Sequence, residues 1–389
     1  MNQGETQSNR ARETEVKLLG GLDAYRRHAL ANLRLKTVIK ESHGGAVTGL
    51  ACCSATPGAG NLVASIGSNH ATVYDGTHLA DHVSVAVQFV NSATAHTPGG
   101  NLRAATWLHP MPETTEPGCH GDARLAIAGD DAAVSIISVA EARVTTLLQG
   151  HVAAVTDLAA NPSQPGALAA LSSDGSVALW DLGSERQRGP CSTSHAASLA
   201  WSPDGECLLV GTRRGKLWKL SPSGSADTAW DKTELPLPSK AGFQSAALDC
   251  LRPLQGGRLA IKAADGRMAV LSWPSLEPVA TWRVPDGTYP GSGLAATPDG
   301  NYIAVGNMLG RSFVHCTATG KCLAAVEPVR LHEPVTSVAL SSDCRHLWVA
   351  LGLGFIFRYE YLGALEDDKE NLANVEEDTN RSQALRMDA

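Results

Sequence analysis

Between Gly150 and Asp181 the chain reads GHVAAVTDLAANPSQPGALAALSSDGSVALWD, and no other run constrains the fold so strongly. A Gly-His pair opens it. An alternating strand pattern follows, then a turn bounded by Pro162 and Pro165, a second strand closing on Ser172-Ser173-Asp174-Gly175, and a third ending at Trp180-Asp181. The pattern predicts one antiparallel sheet pinned by a polar quartet. His151, ahead of the first strand, is expected to reach Ser172 and Asp174, while the Trp180 indole N–H donates to the second-strand hydroxyl. His151, Ser172, Asp174 and Trp180 are read as residues that hold a sheet together, not as a base, nucleophile or metal ligand.

The run is a complete WD-repeat signature, and weaker copies recur at roughly forty to sixty residues, about one propeller blade each. Innermost strands are expected at Val47 to Ala51, Leu102 to Trp107, Ala153 to Leu158, Ala197 to Trp201, Ala246 to Leu251, Gly293 to Ala296 and Val335 to Leu340. Second strands follow at Leu62 to Ile66, Leu125 to Ala128, Leu168 to Ser172, Cys207 to Gly211, Leu259 to Lys262, Tyr302 to Val305 and Leu347 to Leu351. Third strands end near Tyr74, Ile137, Trp180, Leu217, Leu271, Val314 and Tyr359. The fold class is therefore all-β, a seven-bladed WD-repeat propeller.

The last repeat stops after its third strand, because alternation ends beyond Leu362. Leu35 to Ile39, just ahead of the first inner strand, is expected to supply the missing edge and close the ring, which removes an exposed sheet edge. Three regions result: residues 1–34, a polar arm with one short helix at most (Leu22, Tyr25, Ala29, Leu30 and Leu33 at helical steps); residues 35–363, the propeller; and residues 364–389, an acidic, disordered tail. That tail carries eight acids against three bases, a net of −5 out of −7 for the chain, so the body is near neutral. Two stretches, His109 to Asp122 and Pro222 to Lys240, read as surface loops between strands.

A nearly neutral body offers no basic stripe for phosphate backbones, so direct nucleic-acid binding is not expected. No segment reaches the roughly 18 apolar residues a membrane helix needs. The opening MNQGETQSNRARETE lacks the pattern of a secretory leader, which places the chain in the cytosol or nucleus. The nine cysteines are scattered without a CxxC pair and read as small buried hydrophobes; no metal or cofactor is implied. GxSxG, HExxH, GxxxxGK[ST] and a full GxGxxG are all missing. Asp130-Asp131 fits a blade turn, and Arg213, Arg214 and Lys216 fit a solvated hairpin tip.

Several segments, in order along the chain, resemble the ESC/EED family, the WD-repeat subunit of Polycomb repressive complex 2. These are LVASIGSNHATVY (Leu62 to Tyr74), the Pro162, Pro165, Leu168 spacing, Asp249-Cys250-Leu251-Arg252, and AVGNMLGRSFV (Ala304 to Val314). The likeness spreads from about Leu33 to Leu362. It implies a nuclear, non-catalytic scaffold in transcriptional repression, one face cradling a helix of the SET-domain histone methyltransferase subunit and the other an aromatic cage for a trimethylated histone lysine. Motif by motif, the cage positions fall on Thr48, Arg103, Pro290 and Gly291, none aromatic, and an arginine there repels a cation. The resemblance thus carries over the scaffold role, with histone tails as a further candidate partner, but not the cage chemistry. A one-residue shift would bring Tyr289 or Trp107 into play.

Fold alone does not choose a partner. The alternative is an adaptor in another assembly, such as a replication-origin or chromatin factor or a ubiquitin-ligase substrate receptor. An enzyme using the central channel has no acid, base and nucleophile to support it.

Overall fold

Leu168 to Leu171 and Leu208 to Val210 are apolar at every position, and all are wholly buried. Such strands need cover on both faces, whereas an outer strand such as Arg143–Leu148 alternates exposed and half-buried positions. A ring of sheets gives each sheet a neighbour on either side. The computed structural model of the chain describes residues 12–41, 45–54, 56, 59–76, 83–94, 98–110, 122–184, 186–223, 230–239, 242–243, 245–328 and 331–363, and it contains seven four-stranded antiparallel sheets. The architecture is a seven-bladed β-propeller.

The inner strands run Val47–Cys52, Leu102–Trp107, Val155–Ala160, Ala196–Trp201, Leu248–Leu254, Ala295–Ala296 and Val335–Leu340, each end within three residues of the expected place. Blade 4 departs from expectation further out. Its third strand, Leu217–Pro222, begins where the end was expected, because the short turn through Gly215 (φ +74°) returns the chain at once. Its fourth strand, Trp230–Leu235, lies inside the stretch from Pro222 to Lys240 that reads as loop. That strand is largely exposed on both faces, so WDKTEL carries no alternation to betray it. Most of the other expected loop, residues 111–121, lies outside the described residues, as does the tail 364–389.

Closure follows the expected route. The strand Arg34–Lys40 pairs antiparallel with Phe355–Glu360, matching Arg34 with Glu360 and Lys40 with Phe355. The next residue, Glu41, is buried and accepts hydrogen bonds from the Ser65 and Tyr74 hydroxyls of blade 1, the latter at 2.8 Å. One segment therefore completes blade 7 and grips blade 1. On the inner wall of the same seam, Thr336 Oγ1 donates to the Val47 carbonyl (2.6 Å) and the Leu50 amide donates to Ser337 Oγ (2.9 Å).

The arm is more structured than its polarity suggests. Two helical segments occupy it, α1 (residues 12–18) and α2 (Leu22–Ala31), separated at Gly20 and Gly21, both with positive φ. The stripe Tyr25, Ala29 and Leu30 is buried; Leu30 joins the blade 6–7 core and the Tyr25 ring meets Tyr361 edge-on at 6.1 Å. Arg26 forms an ion pair with Asp299 of blade 6.

Candidate functional site

In blade 3 the structure draws the quartet together with different bonds from those expected. The His151 ring stands edge-on to Trp180, centroids 5.5 Å apart, and its Nδ1 lies 3.1 Å from Ser176 Oγ. Ser172 Oγ donates to the Ala153 and Ala154 carbonyls (3.0 and 3.2 Å), tying the second strand to the entry of the first. Asp174 Oδ1 accepts the Ser176 amide at 2.8 Å, closing the turn that Gly175 makes possible: φ is +84° there, and a Cβ would sit 2.4 Å from the Thr193 carbonyl oxygen. Burial lowers the His151 pKa, against the Asp174 carboxylate, so the ring is neutral at pH 7. Burial raises Asp174, but the hydrogen bonds from Ser176, with its side chain and amide both contributing, outweigh it and hold the carboxyl below its usual range. Ser176 is the contact that sequence reasoning missed.

The inner strands define a central channel with two mouths. At one mouth stand residues near the strand starts. Thr48 Oγ1 donates to the Ile66 and Leu102 carbonyls, both at 3.2 Å. Arg103 is half exposed and ion-paired with Asp130, the turn acid of its own blade. Gly291, in the loop before blade 6, donates its amide to Asp249 Oδ2 at 2.8 Å, and Asp249 holds the wholly buried Lys262 ammonium at 2.8 Å. Pro290 precedes Gly291 in that loop. The four positions expected to match a cage thus share one end of the molecule, and they carry a hydroxyl turned to backbone, an ion-paired arginine, a proline and an amide facing a carboxylate. Trp107 ends its strand at the other mouth and donates its indole N–H to the Ala51 carbonyl (2.9 Å), so no one-residue shift brings it here. Tyr289 is partly exposed beside Pro290.

The opposite mouth opens into a cavity of about 500 Å³ lined by all seven blades. Its rim carries Pro162, Pro203, Pro253 and Pro298, one from each of blades 3 to 6, and Arg252 projects from the blade 5 wall. The Arg252 Nη2 donates to the Leu294 carbonyl at 3.0 Å. Helix α2 lies on this face, beyond the rim at blades 6 and 7. Arg213, Arg214 and Lys216 occupy an exposed turn of blade 4, where Lys216 pairs with Glu234. Among the described residues, no group of three or more His, Cys, Asp and Glu is placed to hold a metal ion, and no helix is long and apolar enough to cross a membrane.

Residues 142–181 match the family profile described as WD domain, G-beta repeat. Polycomb protein EED of Chaetomium thermophilum is 27% identical over 135 residues, 35% of this chain and 22% of that protein. Coronin-7 of Rattus norvegicus is 30% identical over 156 residues, 37% of this chain and 16% of that protein. THO complex subunit 3 of Arabidopsis thaliana is 28% identical over 236 residues, 59% of this chain and 64% of that protein. This chain therefore spans only a minor part of the first two. A chain in the crystal structure of the mitotic checkpoint complex superposes with a TM-score of 0.62 at 16% identity, covering 85% of this chain and 92% of that one, a likeness of fold alone.

Proposed function

We propose that this seven-bladed WD-repeat propeller is a non-catalytic scaffold of a Polycomb-type histone methyltransferase complex in the nucleus, acting in transcriptional repression. Its surfaces, not a catalytic constellation, do the work: a helix of the SET-domain catalytic subunit docks on one face. The observation that carries this reading is the ordered set of ESC/EED-like segments, joined by the alignment to Polycomb protein EED. Because the cage positions Thr48, Arg103, Pro290 and Gly291 gather at one mouth, the docking face is the other, around Arg252.

The chain recognises histone tails, where it meets them, without a cation–π cage. A methyl-lysine gains most from several aromatic faces at once, and Tyr289 alone does not enclose one. Trimethylated and unmodified histone-tail peptides should then bind within about threefold of each other, well short of the roughly tenfold preference that 1.4 kcal/mol would bring. Affinity purification of the full chain from nuclear extract tests the main reading: a SET-domain protein should co-purify in stoichiometric amount, and its consistent absence would contradict the proposal.

A second reading is an adaptor in another assembly. The alignment to THO complex subunit 3 favours it by covering more of this chain than the Polycomb alignment does. Recovery of such an assembly, with no SET-domain protein, would select it.

A further inference from the structure

We propose that the mouth containing Arg252 is a receptor for an acidic side chain on a protein partner, with Arg252 taking the carboxylate. The cavity of about 500 Å³ is large enough for a side chain with part of its backbone, and among the described residues its lining is neutral but for Arg252 and His109. Burial lowers the His109 pKa, which leaves that ring uncharged at pH 7. Arg252 is exposed and uses one N–H on the Leu294 carbonyl; among the described residues no carboxylate forms an ion pair with it. Asp157, whose carboxyl pKa burial raises and the Arg252 charge in part lowers, spends its oxygens on the Leu158 and Leu199 amides at 2.9 and 2.8 Å. Neighbouring Arg258 is already engaged by the Gln255 carbonyl and the Thr317 hydroxyl. Arg252 is thus a fixed cation with spare donors in a concave, otherwise neutral wall, where the field of one charge is focused.

The walls decide the ligand. A guanidinium fork matches a planar carboxylate with two parallel hydrogen bonds. Phosphate recognition gathers several cations, and here there is one. The four rim prolines supply rigid apolar edges against which a docking segment can pack around a single polar contact. An aspartate or glutamate on a docking segment satisfies all three features. The assignment depends on the cavity and not on the partner's identity, so it can fail while co-purification of a methyltransferase succeeds.

The test uses the full chain and short labelled peptides of one alanine–leucine background carrying a central glutamate, glutamine or phosphoserine, titrated by fluorescence anisotropy. The glutamate peptide should bind about tenfold or more tightly than its glutamine isostere. That preference should fall to about threefold or less in Arg252→Ala and in Arg252→Gln, which keeps a donor for the Leu294 carbonyl and so controls for lost packing. Both variants should retain the parent's melting temperature, and if Arg252→Ala does not fold, the glutamine variant alone decides. Equal binding of the glutamate and glutamine peptides, no binding by either, or a preference that survives both substitutions overturns the proposal. A phosphoserine peptide binding about tenfold more tightly than the glutamate one overturns it in favour of a phosphate receptor.

Discussion

The Tyr74 hydroxyl donates to the Glu41 carboxylate across 2.8 Å, and the two residues face each other over the seam where the ring closes. Glu41 follows the strand that completes blade 7, while Tyr74 lies in the third strand of blade 1. Ser65 adds a second buried hydroxyl to the same carboxylate. Removing the acceptor strands two buried donors, which costs about 1–3 kcal/mol. Glu41→Ala should therefore lower the melting temperature by several degrees in differential scanning calorimetry. Deleting residues 1–40 should do far more than deleting 1–32, since only the longer cut also removes the closing strand. Equal melting of the two truncations would contradict closure by the N-terminal strand.

The wholly buried Lys262 forms an ion pair with the largely buried Asp249, and their neighbours Thr288 and Gly291 complete the polar shell. Breaking one half of such a pair leaves a buried charge without compensation and costs about 3–5 kcal/mol. Asp249→Ala should lose that much in urea unfolding. The double variant Asp249→Ala with Lys262→Met should recover most of it, because no charge remains to bury. Additive single-variant losses would show that the two residues act independently.

His315 is buried, stacked on Trp282 with centroids 5.2 Å apart, and its Nδ1 lies 3.1 Å from the Gly320 carbonyl. Burial lowers its pKa below the usual histidine range, and His151 and His346 shift the same way from the same cause. As pH falls through about 6.5, the unfolded chain takes up protons that the folded chain refuses, so stability declines with acidification. Asp157 works in the opposite sense, because burial raises its carboxyl to about 6 and the folded state binds the extra proton first. Unfolding free energy should still be lower at about pH 5.5 than at about pH 7.5, and His315→Phe should shrink that difference. An unchanged difference in the variant would remove His315 from the account.

Blades were legible wherever burial on two faces forced continuous apolar runs, as in LVASIG and LAALS, and wherever a turn needed a positive φ, as at Gly175. Trp230–Leu235 was not, because a strand exposed on both sides can hold almost any polar sequence. Docking of α2 was hidden as well: Tyr25, Ala29 and Leu30 show a short helical stripe but not that Tyr361 and blade 6 cover it. The quartet is legible as a group of residues, while its hydrogen bonds depend on Ser176, a hydroxyl inside the same run but outside the expected quartet. The channel mouth at Arg252 was beyond reach for a plainer reason. Its wall is assembled from seven blades, one or two inner-strand ends at a time, and no local pattern records that convergence.

Whether this propeller supports a methyltransferase is decided by reconstitution. The full chain is combined with a SET-domain protein that co-purifies with it from nuclear extract, and methyl transfer to core histones is measured for the pair and for each component alone. A stable complex should form in which this chain alone transfers nothing and the pair is more active, or more stable, than the SET-domain protein by itself. No complex, or a pair indistinguishable from the SET-domain protein alone, would contradict the scaffold role.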